Sequence, residues 1–441
     1  MRIRAALRFL PITCTLASLL TATAVCAFEP VHYGALTAEP SVNLRLGLQY
    51  GTGINYGLGA LDTGERSRSS LTSSIKPRLG LKWQLDGSEL YSAVSVAAAT
   101  TQLDGEISGA FARAGDYAVD TDEAHIGWRN AHFDISYGAQ DFSVADGLLI
   151  ADGNFDTGPG DGQYWVVPFS AWRNAAIVKF TFDGVRGDAF WLRSDRDFGD
   201  SRVVGLNLEH SLANGAGKIG AMYLQVIDSN RFNNNGVEVW DFRVNDLKVP
   251  QLPNFLFFAE VVREVGRDVD GRRDNDALGW YLEAQYNWPN VLWTPTFTYR
   301  YAHFSGDDPK TPANEGYRAL FYTFYKREWD TWYMGEIAGE YHLFNTNQIS
   351  QMVKFEIVPR ESWIVTLYYY HHDLEQPQYF GTPVRDKAWA DELNLGVEYF
   401  HGEKFYGYVG LVWSTPAAAA REIFGHDDDF TVLQTWLSYT F

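Results

Sequence analysis

Cysteine is nearly missing from this chain: it has 2, Cys14 and Cys26, both within the first 27 residues. Beyond that point there is no disulfide, no thiolate-held zinc and no thiol nucleophile to consider. Excess basic charge is missing too. The 36 Lys and Arg face 55 Asp and Glu, a formal charge of −19. A phosphate backbone recruits basic surfaces, so no nucleic-acid partner is expected. After residue 27 no apolar run reaches the roughly eighteen residues that a membrane helix needs, so no helix is expected to cross a bilayer. Aromatics, in contrast, reach 15%, which argues against a disordered chain.

The N-terminus supplies an address. Arg2, Arg4 and Arg8 open it, a mostly apolar run from Phe9 to Val25 follows, and Val25-Cys26-Ala27 precedes Phe28-Glu29-Pro30. Basic, apolar, then small-x-small is the layout of a cleaved secretory signal, expected over 1–27. Pro11 and the scattered Thr and Ser make this run a poor membrane anchor. Val25 stands where a lipoprotein signal wants a small residue before its modified Cys. An exported chain without an apolar helix either stays soluble outside the cytoplasm or crosses a membrane as a closed barrel.

Period-two alternation decides for the barrel. Val42, Leu44, Leu46, Leu48 and Tyr50 alternate with Asn43, Arg45, Gly47 and Gln49. The same pattern runs through Ile75–Leu85, Leu278–Trp288 and Leu393–Tyr399. Alternation marks a strand between two solvents, and runs of about ten residues or more suit a tilted strand crossing an outer membrane. Tight turns are expected at Asp86-Gly87-Ser88, Arg129-Asn130-Ala131, Asp183-Gly184, Asn214-Gly215, Trp288-Pro289-Asn290 and His401-Gly402. Longer polar segments lie between them: Gly51–Ser73, Gln140–Asn174, Gly266–Asp276, Ser305–Thr331 and Pro416–Asp428. Trp288, Trp293, Tyr368, Trp413 and Tyr439 are expected in aromatic girdles at the strand ends. The reading is therefore an all-β transmembrane antiparallel barrel over 28–441, of about eighteen strands, with short periplasmic turns and long extracellular loops. Parity is open between Phe304 and Ser362, where Leu320–Tyr325 reads as either strand or loop.

The last strand puts Thr431, Leu433, Thr435, Leu437, Tyr439 and Phe441 on one face. A closing strand ending in Phe441 resembles the signal that Gram-negative barrels present to their assembly machinery. Several stretches resemble the alginate-export family of outer-membrane porins: Gly138-Ala-Gln-Asp-Phe142 running into Asp146-Gly-Leu-Leu-Ile150 with Asn154, then Ala319–Tyr325, Trp332–Asn347 and Gln434–Phe441. The resemblance implies an eighteen-stranded channel for a polysaccharide or smaller solute, embedded in outer-membrane lipid and lipopolysaccharide. It leaves periplasmic export components open as partners. The family's basic constriction residues have no one-to-one counterparts here, so none is carried over.

Alternation also predicts the lumen. A basic arc is expected from Arg45, Lys76, Arg78, Lys82, Arg129 and Lys179, with Arg300 and Lys354 later in the chain. An acidic arc is expected from strand residues Glu283, Glu336, Glu340, Glu392 and Glu398. These charges either pair across strands or form a track for anionic groups. Segment Gln140–Asn174 is long enough to fold inward and narrow the bore. Asp152-x-Asn154-x-Asp156 resembles a calcium-loop opening, but Thr157 and Gln163 stand where Gly and Glu are needed, so no metal and no cofactor is expected. A barrel hydrolase would need Ser, His and a carboxylate together. His371, His372, Asp373, His125, His303 and Ser305 show no such spacing, and adjacent His371 and His372 point to opposite faces. The expectation is a passive channel rather than an enzyme, for diffusion or export of a saccharide or an anionic, alginate-like polysaccharide, with a small-solute uptake porin as the alternative and a barrel hydrolase last.

Overall fold

The computed structural model describes residues 28–151, 153, 154, 168–196, 198–230, 234–267, 273–321 and 334–441. The expected signal (1–27), the calcium-like positions Asp152 and Asp156, and residues 322–325 of the ambiguous segment lie outside these. Among the described residues, eighteen antiparallel strands close into a barrel. They are β1 (Leu36–Thr52), β2 (Ser67–Leu85), β3 (Ser88–Leu103), β4 (Tyr117–Asn130), β5 (Phe133–Gln140) and β6 (Trp172–Phe182). Then come β7 (Val185–Arg193), β8 (Arg202–Ser211), β9 (Lys218–Asp228), β10 (Glu238–Val249), β11 (Leu252–Arg267) and β12 (Asp274–Asn287). The last six are β13 (Thr296–Phe304), β14 (Gln348–Arg360), β15 (Trp363–Leu374), β16 (Ala388–His401), β17 (Phe405–Pro416) and β18 (Phe430–Thr440). Each pairs with its sequence neighbours, and β18 returns to β1 from Asn43↔Thr440 to Thr52↔Thr431. A short strand, Val31–Tyr33, folds back onto the start of β1.

Closure leaves the wall without a free edge, which a bilayer core demands. Each strand then sorts its side chains by solvent. On β17, Val409, Leu411 and Trp413 point outward with 43–50% of their surface open. Val412 and Tyr408 on the same strand are buried inside. On β8, Leu206 and Leu208 face out while Asn207 faces in. Trp413 and Trp293 sit on the exterior near strand ends, as girdle residues do. Tyr368 differs from the expectation: it points into the barrel, is buried, and carries Lys354 Nζ 5.7 Å above its ring. Its even-numbered neighbours Tyr370 and His372 share that inner face, stacked at 5.8 and 5.6 Å.

Tight connections all fall at one end of the barrel, between each even strand and the next odd one. At Asp183-Gly184 both residues have positive φ (44° and 80°), the twist that a two-residue hairpin requires. Pro250-Gln251 and Glu361-Ser362 are further tight turns. The long loops fall at the other end. The connection from β13 to β14 spans 305–347, longer than the expected Ser305–Thr331, which resolves parity at eighteen. Residues 334–347, the described part of Trp332–Asn347, are therefore not a wall strand. Ala338–Leu343 form a π-helical turn with every residue buried.

Candidate functional site

The inner wall of β1–β4 carries the expected basic residues, most of them beside a carboxylate. Arg78 Nε donates to Glu123 Oε2 at 2.9 Å. Lys76 pairs with Asp122 and reaches Glu123 at 3.9 Å. Lys82 Nζ meets Glu39 at 2.7 Å, and Arg129 pairs with Glu89 while lying 5.3 Å over the Tyr91 ring. Arg45 Nε donates to Asn43. Asp122 and Glu123 both face inward because the register shifts opposite Val94 and Val96, and a bulge places two successive residues on one side. The basic arc is thus interleaved with acids from β1, β3 and β4.

The later half of the wall is quite different. Arg300 Nε donates to Glu283 Oε2 at 2.7 Å on the neighbouring strand, both side chains buried. Glu398 accepts from Tyr406 Oη at 2.9 Å. Glu392 accepts backbone N–H groups of Glu336 (2.7 Å), Ile337 (3.1 Å) and Ala338 (2.8 Å), and the Asn394 amide at 2.8 Å. Glu336 and Glu340 belong to the 305–347 loop and not to a strand as expected, because that loop turns into the barrel instead of adding to its wall. Burial pushes the Glu340 carboxyl well above the usual carboxylate range, with Glu336 and Glu392 adding to the shift. Burial lowers the His342 imidazole to about 3.

A second set of charges lines β6–β10, and of these only Lys179 belongs to the expected arcs. Lys179, Arg186, Lys218 and Arg243 surround a cavity of about 620 Å³ together with Glu209 and the loop residues Asp141 and Asp146. Arg243 is almost fully buried and bonds Glu209 at 3.0 Å as well as Asp241 and Asn207. Arg186 lies 3.3 Å from Asp188 and 3.8 Å from Glu209. Lys218, exposed at the foot of β9, forms no ion pair with any described residue. The signal is present in the sequence: Trp240, Phe242 and Val244 alternate with Asp241, Arg243 and Asn245, the same pattern that identifies the other strands.

Two loops narrow the bore beside this cavity. In the described part of Gln140–Asn174, Leu148, Leu149 and Ile150 are buried in one cluster with wall residues Tyr281, Phe258 and Leu224. Trp172 Nε1 donates to the Phe142 carbonyl at 2.9 Å. Ala151 N donates to Phe321 O at 2.7 Å and Phe321 N to Leu149 O at 3.0 Å, so the loop of β5–β6 and the loop of β13–β14 clasp each other. Of the enzyme candidates, His371 Nε2 and Asp373 Oδ2 come within 3.4 Å of each other. His371 Nδ1 lies 2.8 Å from Asp391 on the outer face, whereas His372 is buried on the inner face. His303 stacks on Trp280 at 5.8 Å. Ser305 Oγ donates to the Glu315 carbonyl and accepts from Leu278 N, a structural engagement.

No protein-family model and no curated protein matches the sequence. Solved structures do match. Acinetobacter baumannii OccAB1 superposes with a TM-score of 0.63 at 12% identity, covering 92% of this chain and 96% of that one. The chain has the fold of an outer-membrane porin. A BenF-like porin from Pseudomonas fluorescens Pf-5 gives 0.60 at 11% identity, covering 92% and 98%. Pseudomonas aeruginosa OccK2 (OpdF) gives 0.58 at 13%, covering 91% and 97%. At such identities the likeness is one of architecture. Together with the apolar outer face it puts the barrel in the outer membrane. These neighbours carry Occ and porin names, so the alginate-export resemblance reduces to its coarser content, an outer-membrane β-barrel with a porin fold.

Proposed function

We propose that this chain is a passive porin for small polar solutes that carry charge, taken up across the outer membrane. The observation that carries the reading is the cavity lined by Lys179, Arg186, Lys218 and Arg243 together with Glu209, Asp141 and Asp146. Charges of both signs within one narrowed aqueous site orient a small dipolar or carboxylate-bearing solute without holding it tightly. Export of an extended polyanion needs a continuous basic track instead. Here the basic residues of β1–β4 are answered by Glu39, Glu89, Asp122 and Glu123. One structural neighbour, Pseudomonas aeruginosa OpdK, is solved with vanillate, a small carboxylate.

The test is reconstitution. In planar bilayers and liposome-swelling assays the purified protein should conduct ions and admit small charged solutes. Oligouronates should neither permeate nor block at concentrations where small carboxylates compete. Block by oligouronates would favour polymer export. A barrel that conducts nothing would remove the channel reading altogether.

A further inference from the structure

Deep inside the barrel, loop residues 334–347 rest on the inner wall of β15–β17, and the contact is built around one side chain. Glu392 lies four residues into β16, about 13 Å along the strand from its outer end. Its carboxylate takes three successive backbone N–H groups of the loop, those of Glu336, Ile337 and Ala338. These lie at or just before the start of a helical turn, where donors have no partner within the turn. The turn has no side-chain cap of its own, so the wall supplies one. Asn394, two residues along on the same inner face, donates to the same carboxylate and holds it in place.

The loop comes close enough because residue 335 is glycine. Its φ is +96°, and a Cβ there would meet His372 Nε2 at 3.1 Å and Glu392 Oε1 at 3.2 Å. The other end of the loop is seated independently. His342 lies among Tyr56, Phe424 and Trp389, with the Tyr379 hydroxyl donating to its carbonyl at 3.1 Å. One face of the lumen is therefore covered by folded loop, while the charged cavity on β6–β10 stays open.

We infer that Glu392 is a positioning residue for permeation: it fixes loop residues 334–347 against β15–β17 and so confines solute passage to the β6–β10 side. The inference rests on the porin reading. In Glu392→Gln the amide nitrogen turns a donor toward donors, and at least one of the three loop N–H groups loses its acceptor. With that contact weakened and His342 still seated, the 334–338 end of the loop no longer holds a fixed bore. Single-channel conductance should rise, on the order of two-fold, with frequent current fluctuations. Gly335→Ala disturbs the same seat from the loop side without changing charge and should give the same noise. Heat-modifiable migration on gels shows that each variant barrel is folded. A destabilised barrel loses channels, so a gain in conductance is a result that a merely structural role does not produce.

The experiment uses the full-length protein in planar bilayers. A conducting wild type with both folded variants unchanged in conductance and noise overturns the anchor and leaves the channel standing. A silent wild type with a conducting Glu392→Gln supports the anchor in its strongest form. Silence in all three overturns the channel and the anchor with it.

Discussion

Reversing the charge of Lys218 isolates the contribution of the lumen to ion preference. Lys218 is exposed at the foot of β9, on the inner face, and is paired with no described residue, so Lys218→Glu leaves packing untouched. A monovalent ion passing about 6 Å from the ammonium feels roughly 0.7 kcal/mol in water-like dielectric, and charge reversal doubles that to about 1.4 kcal/mol. At 0.15 M salt the screening length is about 8 Å, which halves the effect to about 0.65 kcal/mol. Anions lose and cations gain about threefold each, so the anion-to-cation permeability ratio should fall about ninefold. Reversal potentials in a salt gradient measure it directly, and the shift should grow as salt is lowered. A folded, conducting variant whose ratio does not move at any salt concentration would show that ions do not pass the β6–β10 cavity.

Two other perturbations test separate parts of the wall. Arg243→Met leaves Asp241 and Glu209 without their shared guanidinium. Stability in detergent should fall by about 3–5 kcal/mol, as when a buried pair loses one member, and Asp241→Asn added to it should restore much of the loss; an unchanged unfolding midpoint would refute this. Glu340→Gln addresses pH. Burial raises the Glu340 pKa, so its protonated form contributes stability that is full below the ordinary carboxylate value of 4.5 and is lost as pH rises through the folded value. His342 acts oppositely: neutral when folded, it contributes fully above its unfolded value of 6.5 and less as pH falls toward about 3. Glu340→Gln should therefore flatten the decline in stability on the alkaline side of pH 4.5 and leave the acid limb in place; a parallel shift of the whole profile would count against it.

Most of the wall is legible in the sequence because a strand between lipid and water must alternate. Leu278–Trp288 and Leu393–Tyr399 read correctly for that reason. The charged ladder on β8 and β10 is legible by the same rule, since Asn207, Glu209, Asp241 and Arg243 all obey it. What alternation cannot give is long-range folding. Glu336 and Glu340 lie within the connection 305–347, and their place beside Glu392 is set by a loop closing over the wall, which no local period encodes. The inward placement of Asp122 together with Glu123 depends on a bulge, and one extra residue reverses the face of everything after it. Tyr368 reads as a girdle residue by its type, but its even-numbered place on β15 puts it inside.

The seam between β1 and β18 has a consequence for biogenesis. Until residues 430–440 dock onto 43–52, the nascent wall is an open ribbon with two unsatisfied edges, and each of them can capture a strand from another molecule. Sealing therefore has to await the C-terminal strand, and both margins stay open to mispairing until they meet.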